Sequence, residues 1–212
     1  MQVLHLDSSI SGDASVSRAM SAAIVAEITR QRTLAGDMVH VTQRDLVAQP
    51  VAHLDGPIAA GFRPLGHASS DDTVAREHAI SEQLVTQLLA SDVIVIGAPM
   101  YNFSVASQLK AWMDRVAQPG RTFEYTAQGP AGLAGERSVI IASARGGLYS
   151  SGPAAAMDFH EAYLKAFFGF LGIGHVSVVR AELLSKGETL KNESISHATA
   201  SIAGAVQDHF RN

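Results

Sequence analysis

The sequence predicts a single α/β domain over residues 1–212, built on a doubly wound parallel sheet with helices on both faces. Three observations predict this fold class. Five short apolar runs alternate with five longer segments in which apolar residues recur at helical spacing. The length of 212 residues suits one domain of this kind. We find no internal repeat, low-complexity tract or linker that divides the chain.

Three strands are predicted in the first half of the chain, at residues 2–6, 37–46 and 92–98. The third, DVIVIGA, is a continuous β-branched run, as expected for a strand buried on both faces of a parallel sheet. Helical spacing predicts one helix over residues 17–28 and another through Ile80, Leu84 and Leu88. Residues 47–73 contain three prolines and three glycines and are predicted to form a long loop with one helical turn.

The second half repeats the alternation, with strands predicted at 137–144 and 175–183. An apolar stripe from Val105 to Val116 predicts a helix that begins near Ser104. Two more helices are predicted at 154–172, which ends in glycine, and at 192–210. The glycine-rich stretch 129–135 is interpreted as a turn-rich connection because it precedes a strand.

Composition excludes several classes of function. The chain has no cysteine, which excludes disulfide scaffolds, thiolate zinc sites, iron–sulfur clusters and thiol catalysis. A net charge of −4 gives no electrostatic basis for binding nucleic acid or an anionic membrane. No apolar run reaches the roughly 18 residues of a membrane helix, and the sequence begins without a secretory signal pattern. We therefore expect a cytoplasmic protein, and none of the nine histidines lies in a metal-binding motif.

The segment that follows the first predicted strand, DSSISGDASVSRAM, is rich in hydroxyl groups. Five serines, at positions 8, 9, 11, 15 and 17, precede or open a predicted helix. Free N–H groups and the dipole of a helix N-terminus favour a bound anion, and hydroxyls add donors. The alternative is that Ser15 or Ser17 only caps the helix. Since neither G-x-G-x-x-G nor G-x-x-x-x-G-K-[ST] is present, a phosphate held by hydroxyls and amides suits a mononucleotide.

Two further segments follow predicted strands and therefore lie at the same edge of the sheet. Residues 99–103, PMYNF, place apolar and aromatic groups around Asn102, as expected beside a large flat ring. The alternative is that Tyr101 and Phe103 pack in the core or at a dimer contact. After the fourth strand, Gly146 and Gly147 permit close approach of the backbone and could direct N–H groups at a developing oxyanion. A plain Gly-Gly turn is the alternative there.

These motifs resemble those of the FMN-dependent NADH-azoreductases, which are flavodoxin-like NAD(P)H:quinone oxidoreductases. The resemblance covers essentially the whole chain and is carried by the segments SSISGDASVS, APMYNFSVASQLKAWMD, GRTFEYTAQGPAGL, SARGG and FFGFLGI. It implies a five-stranded parallel sheet of strand order 2-1-3-4-5 and a homodimer with active sites at the subunit interface. It also implies bound FMN, with NADH or NADPH as co-substrate.

The resemblance assigns roles to particular residues. Ser9 and the Ser15–Ser17 segment hold the FMN phosphate, PMYNF borders the isoalloxazine, and SARGG lines its pyrimidine side. The implied FMN-binding set is Ser9, Ser15, Val16, Ser17, Met100, Tyr101, Asn102, Phe103, Ser143, Ala144, Arg145, Gly146 and Gly147. Tyr125 and Phe167 match aromatic positions that cover the substrate, partly across the dimer interface. Ala144 stands where the family often has serine, and Tyr149 where some members have histidine.

The implied reaction transfers a hydride from NAD(P)H through flavin N5 to quinones and azo compounds by a ping-pong mechanism. FMN carries this chemistry, so no catalytic side chain and no metal are expected. One alternative is a flavodoxin-like electron carrier without an organic acceptor, although such carriers are usually strongly acidic. The other is a hydrolase that uses a loop serine, although the chain lacks a G-x-S-x-G elbow.

Overall fold

Residues 1–62 and 71–211 are described by the computed structural model, so part of the predicted 47–73 loop lies outside them. These residues form seven strands. They are β1 (Gln2–Asp7), β2 (His40–Asp45), β3 (Val93–Pro99), β4 (Phe123–Thr126), β5 (Gly129–Gly132), β6 (Ser138–Ala144) and β7 (His175–Ala181). The five predicted strands correspond to β1, β2, β3, β6 and β7. Every residue of β3 is buried, as its β-branched sequence predicts.

The main sheet is parallel and has the order β2-β1-β3-β6-β7, which confirms the predicted order once the two additional strands are numbered. The chain moves outward from β1 to β2 and then in the opposite direction from β3 to β7. This reversal between β1 and β3 creates the crevice where ligands bind in open α/β sheets. Asp7 pairs with Gly97, and Gly97 pairs with Ala142, so the strands that precede the three candidate loops end at one edge.

The described residues also form six helices, which pack on the two faces of the sheet or beside them. They are α1 (Val16–Leu34), α2 (Gly56–Ala60), α3 (Asp72–Ala90), α4 (Ser107–Val116), α5 (Glu161–Phe170) and α6 (Glu188–His209). Helices α3, α4 and α5 contribute to one apolar core, with Trp112 and Phe168 among its largest side chains. Helices α1 and α6 bury Ile24 and Ile202 in a second core on the other face. Helix α2 is the single turn predicted within the long loop.

Two helices begin later than predicted, one after an acidic cap and the other after a tight turn. Helix α5 was predicted from residue 154 but begins at Glu161. Asp158 Oδ1 accepts hydrogen bonds from the N–H groups of His160 and Glu161, at 3.1 and 3.4 Å. Such a side chain satisfies donors that the first helical turn leaves free. Helix α4 begins at Ser107 rather than near Ser104, because residues 101–104 form a tight turn.

A β-hairpin corrects the interpretation of residues 129–135 as a connection. Strands β4 and β5 pair antiparallel, with Tyr125 opposite Pro130, so the prediction was wrong for Gly129–Gly132. Glycine and proline disfavour strands, and tertiary contacts override that preference here. A Cβ atom at Gly132 would lie 2.0 Å from the backbone nitrogen of Gly172, so the hairpin lies directly against the residues after α5.

No helix within residues 1–62 and 71–211 has the length and apolarity needed to cross a membrane.

The opposite edge of the sheet contains a buried histidine, His209, near the end of α6. Its Nδ1 and Nε2 atoms lie 2.9 Å from Ser177 Oγ and 2.8 Å from Ser138 Oγ. Its ring stacks on His175 with a centroid distance of 4.0 Å. Burial, followed by the proximity of His175, lowers the pKa of His209 from 6.5 to about 4. The folded state therefore favours the neutral ring.

This arrangement predicts acid sensitivity of the fold. Because the pKa of His209 is lower in the folded than in the unfolded chain, its contribution to stability is complete above pH 6.5 and is lost as the pH falls to about 4. We expect this group to reduce the free energy of unfolding by about 3 kcal/mol across that range. Urea unfolding at several pH values should show a shallower pH dependence for His209→Phe. An identical pH dependence would exclude His209 as a contributor.

Candidate functional site

The first part of the site is the N-terminus of α1. Ser15 is the N-cap, and its Oγ accepts a hydrogen bond from the Arg18 N–H at 3.2 Å. Ser17 Oγ lies 3.1 Å from Ser15 Oγ. Among the described residues, the N–H groups of Val16 and Ser17 have no hydrogen-bond acceptor. Ser15 therefore caps the helix. Two amides and one of the two hydroxyl protons remain beside the cap as donors for an anion.

Ser9, also predicted to contact phosphate, is 2% exposed and joined to the next loop. Its Oγ lies 3.2 Å from the hydroxyl of Tyr101, which also accepts a hydrogen bond from the Ile10 N–H at 3.2 Å. The Ser9 carbonyl accepts from Arg18 Nη2 at 3.0 Å, and Arg18 forms a bidentate pair with Asp45 at 2.7 and 2.8 Å. These bonds fix the position of the serine loop against α1 and β2.

The PMYNF segment forms a strained two-residue turn. Tyr101 and Ser104 exchange backbone hydrogen bonds of 2.9 and 3.1 Å. The two central residues, Asn102 and Phe103, have φ values of +47° and +72°. Positive φ at both positions is typical of type I′ turns, which usually contain Asn-Gly. Phenylalanine in this region is unfavourable, and such strain is concentrated at functional sites.

Two contacts hold Phe103 in this conformation. Its carbonyl accepts a hydrogen bond from the Phe159 N–H at 3.2 Å. Its ring makes an edge-on contact with Tyr149, with a centroid distance of 6.1 Å. Phe103 is 42% exposed, so the suggestion that it packs in the core of one chain is wrong. The turn is therefore supported from the loop after β6 and presents its aromatic ring at the surface.

The loop after β6 presents a row of backbone donors. The carbonyl groups of Arg145, Gly146 and Gly147 accept from the N–H groups of Leu184, Ser185 and Leu183, at 3.1, 3.0 and 3.1 Å. The described chain contains no cis peptide bond, and the C=O and N–H of a trans peptide point in opposite directions. The N–H groups of residues 146, 147 and 148 therefore point away from the 183–185 segment. None of the three has an acceptor among the described residues.

Glycine is used in this loop for close approach. Neither Gly146 nor Gly147 has a positive φ, so unusual dihedral angles are not the reason for glycine here. A Cβ atom at Gly146 would lie 2.7 Å from Ser185 Oγ. One at Gly147 would lie 3.0 Å from the ring of Tyr149. A side chain at either position would therefore require Ser185 or Tyr149 to move.

The side chains of Ser143 and Arg145 lie inside the protein. This position disfavours a direct contact between these side chains and the ligand. Ser143 is fully buried, and its Oγ accepts from Arg145 Nε at 3.1 Å. The Arg145 guanidinium is also fully buried and lies 2.9 Å from Asp158 Oδ2. The backbone N–H of Arg145 donates to the Ala181 carbonyl, and the Ala144 carbonyl accepts from Met100. Residues 143–145 therefore connect the ends of neighbouring strands inside the protein, below the loops of the site.

A second buried titratable group, His160, lies beside these residues. Its Nδ1 is 3.5 Å from Ser143 Oγ, and its Nε2 has no hydrogen-bond partner among the described residues. Burial, followed by the charge of Arg145, lowers the pKa of His160 to about 4. His160 is therefore neutral at physiological pH.

A cavity of about 1000 Å³ lies between the PMYNF turn, α4 and α5. Its lining is mostly apolar and includes Ile10, Met100, Tyr101, Asn102, Val105, Phe159 and Tyr163, with Lys110 and Gln108 among the polar groups. This volume and lining are typical of a site for a flat organic molecule.

Comparison with known proteins shows the family. A model of the flavodoxin-like fold matches residues 1–205. The FMN-dependent NADH:quinone oxidoreductase 2 of Xanthomonas euvesicatoria pv. vesicatoria is 58% identical, over 98% of this chain and 94% of that protein. The FMN-dependent NADH:quinone oxidoreductase of Ralstonia nicotianae is 59% identical, over 97% of each chain. The chain belongs to the flavodoxin-like family of FMN-dependent NADH:quinone oxidoreductases.

The fold of this chain is also similar to that of a solved protein structure. The crystal structure of an azoreductase from Bacillus anthracis str. Sterne has a TM-score of 0.88, covering 98% of this chain and 99% of that one. At 24% sequence identity, this likeness shows the shared fold alone.

The donor set of this family member fits FMN. A phosphate needs donors and a positive field, which the α1 N-terminus supplies. The pyrimidine edge of a flavin carries carbonyl oxygens and ring nitrogens, for which the three parallel N–H groups of residues 146–148 are suitable partners. The apolar residues Met100 and Tyr101 suit the flat ring. We see no charged side chain among these three groups that would have to be displaced.

The two predicted substrate residues lie apart from the other members of the site. Tyr125 is on the hairpin, 76% exposed, and its ring contacts Phe123. Phe167 lies on α5 and packs against Phe168 and the core. Neither lines the 1000 Å³ cavity of its own chain.

Sequence reasoning missed several residues of the site. Leu148 contributes the third N–H group of the donor row. Asp158, Glu161 and Glu182 bind the Arg145 guanidinium. Acidic residues at positions 158 and 161, just before and inside a helix start, are a recognisable N-terminal signal, although it does not reveal their partner.

Proposed function

We propose that this chain binds FMN and oxidises NADH or NADPH with quinones and azo compounds as acceptors. The relatives named above, with 58 and 59% identity over nearly the full chain, support this activity. The observation that carries the proposal is a phosphate-type helix N-terminus at the same sheet edge as a row of three unpaired backbone N–H groups. Bound FMN supplies the hydride chemistry, accepting two electrons from the nicotinamide and passing them to the acceptor.

The residues of the chain bind, orient and stabilise charge. The phosphate is held by the backbone N–H groups of Val16 and Ser17 and by the hydroxyl groups of Ser15 and Ser17. The N–H groups of residues 146–148 face the pyrimidine edge, where negative charge increases on reduction, and fixed donors stabilise such charge. The 101–104 turn holds the ring edge, with the Asn102 and Phe103 N–H groups free of other acceptors among the described residues.

No protein group is required as a nucleophile or base. His160, which lies beside Ser143 and Arg145, is neutral and buried, and its Nδ1 faces Ser143. The loop serines have no histidine partner among the described residues, which disfavours the hydrolase alternative. His5 contacts Ser21, but both are buried below the serine loop.

One test separates the proposed enzyme from an electron carrier. The purified chain, incubated with FMN and freed of excess, should be yellow. Anaerobic NADH or NADPH should bleach the flavin absorbance, and a quinone added after removal of the nicotinamide should restore it. Parallel initial-rate lines for varied NADH and quinone would support a ping-pong order. A protein that binds no FMN, or that is bleached but not reoxidised by any quinone or azo dye, would contradict the proposal.

We propose that the enzyme is a homodimer with both chains contributing to each site. Apolar side chains are exposed in the loops at the site edge, at Ile10, Phe103, Met157 and Phe159, and on the hairpin and α5, at Tyr125 and Phe170. Exposed apolar groups of this density mark an interaction surface. The hairpin then brings Tyr125 over the cavity of the partner subunit, which accounts for its distance from the cavity of its own chain. A single-domain organisation over 1–212 and a cytoplasmic location remain our proposals from the sequence.

The role of Tyr125 gives a direct prediction. Tyr125→Ala should raise the KM for the acceptor about 5-fold, because an aromatic stacking contact contributes about 1 kcal/mol. The FMN dissociation constant should not change, since the residue is remote from the phosphate and donor-row groups. Steady-state kinetics with a quinone and flavin fluorescence titration measure the two quantities. Unchanged acceptor kinetics would reject this role, and a matched Glu124→Ala variant controls for general disturbance of the hairpin.

A further inference from the structure

We infer that Arg145 is a positioning residue whose buried guanidinium holds the donor row of residues 146–148 in place. The inference rests on the proposed binding of FMN by that row. It replaces the sequence-based expectation that Arg145 itself lines the ligand. The side chain has no solvent exposure, and its contacts run inward from the rim, so its influence on a ligand must pass through the loop that it anchors.

The guanidinium is joined to three different segments of the chain. Its Nε donates to Ser143 Oγ at 3.1 Å, at the end of β6. Its Nη1 donates to Asp158 Oδ2 at 2.9 Å and to Glu182 Oε1 at 3.3 Å, and its Nη2 pairs with Glu161. Arginine suits this position because its planar fork can serve several acceptors at once.

Two of the carboxylates, those of Glu182 and Asp158, relay the contact to a backbone segment. Glu182 Oε1 accepts from the N–H groups of Tyr149 and Ser150 at 2.8 and 3.0 Å. Asp158 Oδ1 accepts from the N–H groups at the start of α5. The donor row is therefore fixed on one side by its carbonyl bonds to residues 183–185 and on the other by the Glu182 contacts beyond it. Arg145 is the group that both acidic anchors share.

The charge balance explains why the contact is sensitive. Arg145 and Arg180 face three carboxylates, those of Asp158, Glu161 and Glu182. Arg180 bonds to Glu161 at 2.8 Å. Among the described residues, the carboxylates of Asp158 and Glu182 pair with Arg145 and not with Arg180. A buried pair that loses one partner leaves an uncompensated charge, and the other groups move to hydrate it. A lysine cannot make the same divergent contacts from one point charge.

The test compares Arg145→Lys with Arg115→Lys in the full-length chain. Arg115 is a matched control because its side chain is equally buried and bonds to Ser81 Oγ at 2.7 Å, to the Ala52 carbonyl at 3.0 Å and to Glu77. Arg115 contacts the segment that contains Ala52 and helix α3, and within the described part of the chain it forms no hydrogen bond with the donor row. Both substitutions should lower thermal stability by similar amounts.

Three readouts distinguish positioning from general stability. Without flavin, amide hydrogen exchange of residues 145–150 should be faster in Arg145→Lys and unchanged in Arg115→Lys. The FMN dissociation constant should rise about 10-fold in the first variant, since charge-assisted bonds fix the loop, and less than about 2-fold in the second. The midpoint potential of the bound flavin should become more negative only in Arg145→Lys.

The outcomes separate this inference from the proposed function. Equal effects of the two variants on all three readouts, or no effect of Arg145→Lys, overturn the positioning role. If the wild-type chain binds no FMN, the proposed function fails, and faster exchange specific to Arg145→Lys still supports the anchoring of the loop. If Arg145→Lys does not fold, Glu182→Gln replaces it, because the amide oxygen still accepts from Tyr149. That variant should show the same exchange pattern with a rise in dissociation constant of about 3-fold, and unchanged exchange overturns the inference.

Discussion

Ser15→Asp should abolish tight FMN binding while leaving the fold intact. Aspartate is as good an N-cap as serine, and its charge is favourable at a helix N-terminus, so thermal stability should be equal or slightly higher. The same carboxylate lies where the predicted phosphate binds. Repulsion between two anions a few ångströms apart near a protein surface costs several kcal/mol, and we expect the FMN dissociation constant to rise about 100-fold or more.

The control for this prediction uses the ligand as well as the protein. Riboflavin lacks the phosphate, so its dissociation constant should be the same for wild type and Ser15→Asp. Ser15→Asn keeps a neutral cap and should stay within about 5-fold of wild type for FMN. Fluorescence quenching titrations measure the dissociation constant of each protein and ligand pair. Equal losses for FMN and riboflavin, or an unchanged FMN constant, would show that the phosphate does not bind at the N-terminus of α1.

The sheet was predictable from sequence because its determinants are local. A run of β-branched residues at 93–96 predicts a buried strand, and the apolar spacing of α1 predicts a helix. Neither prediction needs information from the rest of the chain. The hairpin at 123–132 was not predictable from local sequence. Its second strand, GPAG, has residues that disfavour strands, and it packs against residues 171–172. Local propensity carries no information about that contact.

The candidate site divides in the same way. The serine loop, the PMYNF turn and the Gly146–Gly147 pair are contiguous motifs, so their position at one sheet edge followed from the strand pattern. The direction of the Arg145 side chain did not follow, because it depends on Asp158 and Glu182, which lie 13 and 37 residues away. A positively charged residue in a binding motif invites assignment to the ligand. Burial shows instead that its charge is used within the protein.

Gly132→Ala should detach the hairpin and disable the acceptor site while FMN stays bound. A Cβ atom at this position would lie 2.0 Å from the Gly172 nitrogen and 2.1 Å from the Leu171 carbonyl carbon. Both are backbone atoms next to the end of α5, so no side-chain rotation relieves the overlap. The Ala134 N–H also donates to the Leu171 carbonyl at 2.9 Å, and a shift of the hairpin strains that bond. We expect a loss of about 2–3 kcal/mol in the free energy of unfolding.

The consequences for function depend on what the hairpin carries. Displaced β4 and β5 strands misplace Tyr125, so the acceptor KM should rise at least as much as in Tyr125→Ala, about 5-fold or more. FMN affinity should change little because the hairpin touches neither the α1 N-terminus nor residues 146–148. Gly169→Ala is the matched control, since nothing lies within 4 Å of its added Cβ and alanine favours the helix by up to about 1 kcal/mol. Urea unfolding, acceptor kinetics and flavin titration would measure the three effects. Wild-type stability in Gly132→Ala would mean that the hairpin does not depend on this close backbone contact, and an equal loss of FMN and acceptor binding would mean that the hairpin supports the whole site.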